Sequence, residues 1–117
     1  MASTIIPLIV ERTGTFTPVS GVTISEERIK QIGKFVEVHF YAEKSGGFGG
    51  SEFALGTLSG VDLPPKHIRT LCGIGSAAYS ATSSAYVILS STTGQISVLP
   101  TNSTAPCVTV DIVYSVD

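Results

Sequence analysis

The sequence predicts an all-β fold, an antiparallel β-sandwich of jelly-roll-like connectivity, and three observations carry it. Residues 27–43, ERIKQIGKFVEVHFYAE, read as two strands joined at Gly33-Lys34. The segment from Cys107 to Val116 alternates apolar and polar residues along its length. Short apolar runs recur between Gly-, Pro- and Ser-rich breaks, and no convincing long helical pattern interrupts them.

Taken in order, Thr4 to Arg12 is rich in isoleucine and β-branched residues and suits an N-terminal or edge strand. Pro7 is tolerated there only where no ladder donor is needed. Thr13 to Gly21 holds Gly14, Pro18 and Gly21 and is expected to be a loop. A short strand at Val22–Ile24 leads into the hairpin, although Ser25 followed by Glu26 and Glu27 leaves open a helix through Ile32. Glycine at the first loop position favours a two-residue type II′ turn at Gly33-Lys34. Counting outward from it pairs Ile32 with Phe35, Gln31 with Val36, Lys30 with Glu37, Ile29 with Val38 and Arg28 with His39. One face then carries Ile29, Val36, Val38 and Phe40. The other carries the Lys30–Glu37 charge pair, flanked by Ile32, Phe35, His39 and Tyr41. A slip of one residue would turn the first set outward, so the register is fixed.

Beyond the hairpin, Ser45 to Ser51 is a flexible loop holding one aromatic, Phe48. Glu52–Leu58 reads as a strand with Phe53 and Leu55 on one side and Ala54 and Gly56 on the other. Gly60 to Pro65 is a turn. His67 to Leu71 is a strand broken by Gly73-Ile74-Gly75; Ala77–Tyr79 is a further short strand, and Ser80–Ser84 a polar connection. Ala85–Ser90 and Gln95–Leu99 form a hairpin across Ser91–Gly94, with Gly94 left-handed. After a loop from Pro100 to Pro106, the last strand places Val108, Val110, Ile112, Tyr114 and Val116 on one face. The total is eight or nine strands in one domain spanning residues 1–117, with 1–20 an N-terminal strand or a connecting segment.

Composition narrows what such a domain does. The chain has 117 residues, enough to bury a core without metals or disulfides. Charged residues make up only 14% of it, and serine, threonine and glycine take their place. With a mean hydropathy of +0.37, this pattern points to oligomerisation, the alternative being a neutral surface of hydroxyls. A net charge of −2 with 7 Lys+Arg argues against nucleic-acid binding. No apolar run reaches a membrane span, and no secretory signal opens the chain, so neither membrane insertion nor export is expected. Cys72 and Cys107 are expected to be buried free thiols, with a disulfide as the alternative; no spacing suits a metal.

Several segments in fixed order resemble the C-terminal head and tip domains of bacteriophage receptor-binding proteins and of tail or head fibres. They are Ile32-Gly33-Lys34-Phe35-Val36, Leu55-Gly56-Thr57-Leu58, Pro64-Pro65, Gly94-Gln95-Ile96-Ser97-Val98 and Val110–Tyr114, covering roughly residues 20 to 117. The chain departs from that pattern at Ser59, where proline would follow the leucine, and at Asp62-Leu63, inserted before the proline pair. The resemblance implies a non-enzymatic, homotrimeric β-sandwich head at the end of a fibre in the virion. Its partners would be a bacterial surface saccharide or protein receptor and other virion proteins. It would be made in the host cytoplasm without a signal peptide, either as an excised domain or as a small stand-alone fibre. A purely structural virion component, a capsid-decorating or baseplate piece with no receptor, is the competing expectation.

Enzyme chemistry finds little support. His39 and His67 have no nucleophile motif beside them, and Gly73-Ile74-Gly75-Ser76-Ala77 lacks the second glycine of a nucleophile elbow. A glycosidase needs two convergent carboxylates, and scattered acids such as Glu37, Glu52 and Asp111 give no spacing for them. No catalytic residue, metal or cofactor is therefore expected. Saccharide binding needs aromatic planes beside polar partners. Tyr41, Phe48, Tyr79 and Tyr86 supply planes; His39, Glu43, Asp62, Arg69 and Asp111 supply partners. Core or interface packing is the competing role for each aromatic. Phe48 is expected to stand exposed, because its glycine and serine neighbours cannot hide it. The candidate ligand residues are Tyr41, Glu43, Phe48, Asp62, Arg69, Tyr79 and Tyr86.

Overall fold

A computed structural model describes residues 10–77, 80–100 and 105–117. Among them the chain is all-β and without helix. Nine strands pair antiparallel into one nearly closed, barrel-like sheet: β1 (Glu11–Thr13), β2 (Thr15–Pro18), β3 (Thr23–Ile32), β4 (Phe35–Glu43), β5 (Phe53–Ser59), β6 (Ile68–Ala77), β7 (Ser80–Leu89), β8 (Gln95–Pro100) and β9 (Cys107–Ser115). Their order is β1-β3-β4-β9-β6-β7-β8-β5-β2.

The β3–β4 hairpin forms in the register that its residues dictate, from Ile32↔Phe35 to Arg28↔His39. Gly33 takes φ +58° and Lys34 has no positive φ, as a type II′ turn requires. Its inward face continues across the sheet, where Val36 meets Tyr114, Val38 meets Ile112, Phe40 meets Val110 and Ala42 meets Val108. All eight side chains are buried. Their alternation with outward polar residues holds β4 and β9 in place, because a shift of one residue would expose the whole set.

The helix left open at Ser25 does not form. Thr23 and Ile24 of the expected short strand instead join the hairpin arm in one long β3, which bulges between Ser25 and Arg28 with Glu26 at φ +52°. That bulge serves the closure of the sheet. β1 pairs with β3 at one edge and β2 with β5 at the other, yet Gly14 alone separates them. One extended segment therefore changes partners at Gly14, whose N–H donates to the Ile29 carbonyl at 2.9 Å. Where β3 bulges away, the Glu27 carboxylate accepts from the Phe16 N–H at 2.8 Å in place of a ladder carbonyl. The expected loop from Thr13 to Gly21 is thus corrected. Pro18 is accommodated because β2 is the edge strand of the sheet.

Among the described residues, β6 and β9 share two paired positions, Ile74↔Val108 and Gly75↔Cys107. Gly73-Ile74-Gly75 does not end β6. Partners on both sides, β7 and β9, hold this stretch extended, and the glycines absorb register shifts after Ile74 and Gly75. Ser80–Ser84 is likewise strand and not connection, because β6 pairs along it. Of the expected strand Ala77–Tyr79, only Ala77 is described, as the end of β6. Of Thr4–Arg12, the described part is strand at Glu11 and Arg12. In β5 a bulge between Ala54 and Gly56 breaks the expected alternation, so that Leu55 and Leu58 both point inward. The Gly94 turn and the Gly60–Pro65 turn stand as expected, Gly94 at φ +76°. Cys72 and Cys107 are buried and not joined in a disulfide.

Candidate functional site

The ligand residues nominated from sequence separate into distinct places. Tyr41 lies half-buried on the outer face of β4, edge-on to His39 with ring centroids 5.3 Å apart. His39 faces Asp111 across β9, Nδ1 to Oδ1 at 3.8 Å. At the far end of β4, the Glu43 carboxylate accepts from the Cys107 thiol at 3.6 Å. Burial, reinforced by the Glu43 charge, pushes that thiol's pKa up. Tyr79 lies outside the described residues.

Phe48 is a correction. Its ring is only 3% exposed, packed against Phe53 at 5.8 Å. Glycines at 46, 47 and 49 take positive φ and let the loop fold back. The Lys44 ammonium then pins the loop by donating to the Gly47 carbonyl at 3.1 Å while lying 5.5 Å over the Phe53 ring. Small neighbours cannot hide an aromatic ring, but a loop that turns it onto the sheet can.

Asp62 is held within the protein's own framework. One carboxylate oxygen takes Arg12 at 2.7 Å and the Gln31 amide at 3.0 Å. Its N–H donates to Gln31 Oε1 at 2.8 Å, and its carbonyl accepts from the Tyr114 hydroxyl at 2.5 Å. The hydrogen bonds from Gln31, then Arg12, hold the carboxyl below the usual carboxylate range. Desolvation pushes the Tyr114 hydroxyl up to about 12. Buried Gln31 escaped notice in the sequence because its place on an inward face calls for an apolar residue.

Arg69 and Tyr86 do come together. They lie on neighbouring strands β6 and β7, and the guanidinium sits 4.0 Å over the ring. Leu71, paired with Tyr86, is 59% exposed beside them. Arg12, Arg28, Lys30 and Lys34 each hold a carboxylate within 3.2 Å. Arg69 makes no ion pair among the described residues, and its exposed guanidinium is held only over the Tyr86 ring.

No family model, no curated protein and no solved structure matches the chain.

One further surface was not singled out as a site. Ile32, Phe35 and Val113 stand 49, 66 and 69% exposed on β3, β4 and β9. With Lys30 and Glu37 they line an apolar groove of about 180 Å³. The sequence does contain the signal, since the hairpin register alone puts Ile32 and Phe35 on the outward face. Val113 joins them only through the pairing of β4 with β9. His67, the second histidine, accepts the Ser91 N–H at Nδ1, 2.8 Å away, and so braces the β7–β8 turn.

Proposed function

We propose that this chain is a non-enzymatic attachment domain, the jelly-roll-like head of a homotrimeric bacteriophage fibre. In the virion it binds a saccharide or protein on the bacterial surface. A barrel-like stack of strands with short connections offers its outer faces as working surface, and binding there requires side chains that the fold does not consume. The observation that carries the proposal is Arg69 laid over Tyr86 with no ion-pair partner among the described residues. A planar cation held flat by an aromatic ring is preorganised for a carboxylate, hydroxyl or amide acceptor. Its neighbour Leu71 adds apolar contact.

The test is binding of labelled protein, displayed on multivalent beads, to a panel of bacterial cells and to a glycan array. Host-selective binding that falls at least about tenfold in Arg69→Ala and Tyr86→Ala, at unchanged circular dichroism, is the expected result. Absence of binding at high valency on every surface would favour the structural virion component instead.

A further inference from the structure

We infer that the groove around Phe35 is the contact between copies of this chain, the same face of neighbouring protomers converging about the symmetry axis. The inference rests on the homotrimeric reading above and names the surface that would build it.

Size is the first argument. Ile32, Phe35 and Val113, at 49, 66 and 69% exposure, together leave on the order of 300 Å² of mostly apolar surface in water. A standard interface covers about 800 Å² on each partner, and a little over half of that is apolar. The patch therefore approaches the apolar centre of one such interface, gathered on three adjacent strands. A scatter of single exposed residues would carry no such meaning.

Charge is the second. Arg28 is paired with Glu37 at 2.9 Å and Lys30 with Glu11 at 3.2 Å. At the turn beside Phe35, Lys34 is paired with Asp117 at 2.8 Å. Three cations and three anions cancel within the same chain. Identical faces therefore approach one another without net repulsion, whereas a face of one sign would be barred from meeting itself. Flanked by neutralised pairs with an exposed aromatic at the centre, the groove has the layout of an apolar interface core within a polar rim.

Rigidity is the third. Ile32 and Phe35 flank a two-residue turn, and Val113 lies inside a strand paired with β4 along its length. Little side-chain or loop ordering is left to oppose association.

Light scattering of the full chain at about 10 µM tests it. The wild type is expected to run as an assembly, and Phe35→Glu to show about a threefold drop in mass with unchanged circular dichroism. Val113→Glu, placed on a different strand, should do the same and guards against a folding defect peculiar to one variant. A monomeric wild type, or a Phe35→Glu protein that assembles like wild type, would overturn the inference. Cell binding separates this from the attachment proposal. A dissociated Phe35→Glu protein that still binds weakly through Arg69 upholds both. Dissociation in a protein that never binds cells upholds the interface alone. A monomeric wild type that binds cells upholds attachment alone.

Discussion

Gln31 faces the core with a polar amide that is almost wholly buried, and each end of that amide has work to do. Nε2 donates to the Gly33 carbonyl at 2.9 Å and to Asp62; Oε1 accepts from the Asp62 N–H. Burying an amide costs little only when it is fully paired, so Asp62 and Gln31 stand or fall together. The pH dependence follows from the directions of the shifts. Asp62 has a lowered pKa in the folded chain, so its contribution is complete above the unfolded carboxylate value near ~3.9 and is lost as pH falls through the folded value. Tyr114 has a raised pKa, so its contribution is complete below ~10 and is lost as pH climbs toward about 12. Urea midpoints measured from pH 2 to 12 should fall at both extremes. Asp62→Asn should flatten the acid limb and Tyr114→Phe the alkaline one; an unchanged acid limb in Asp62→Asn would refute the assignment.

At the scale of the element, Gly14 is the joint of the sheet. A Cβ there would meet Ile29 Cγ2 at 2.4 Å, with the Ser59 carbonyl and Val61 Cγ1 each at 3.0 Å. Two of these neighbours are side-chain methyls, and one is backbone that cannot swing aside. Gly14→Val is expected to cost about 3 kcal/mol by overpacking the joint. Phe16, one step into β2, stacks on Phe40 with centroids 4.4 Å apart. Phe16→Ala should cost roughly 3–5 kcal/mol. Equilibrium denaturation measures both, and a loss below about 0.5 kcal/mol in either would show that β2 does not close the sheet. The sequence reads this strand as a loop for a physical reason. Gly14, Pro18 and Gly21 carry turn signals locally, while the pairing that makes Thr15–Pro18 a strand comes from β5, distant in the chain. The β3–β4 hairpin was legible because its pairing partner lies just across a two-residue turn.

For the whole molecule, the proposed association through the Phe35 face predicts that stability depends on concentration. Thermal midpoints of the wild type should rise as protein is raised from about 1 to 100 µM, and those of Phe35→Glu should stay flat. A flat wild-type series would count against association. The two nominated residues that meet, Arg69 and Tyr86, could be listed from sequence as a cation and a plane. Their meeting depends on the β6–β7 ladder, in which each lies one diagonal step from the other. Phe48 went the other way, because exposure is decided by where a loop folds and not by the size of its neighbours.

The sequence by itself determined the strand class, the hairpin register and the alternating core of β4 and β9. Each of these rests on period-two patterning or turn chemistry acting over a few residues. Only the tertiary structure decided the partner exchange at Gly14, the burial of Phe48, the seat of Asp62 on Gln31 and the gathering of Ile32, Phe35 and Val113. These depend on contacts between segments far apart in the chain, whose register is set by the packing of the nearly closed sheet as a whole.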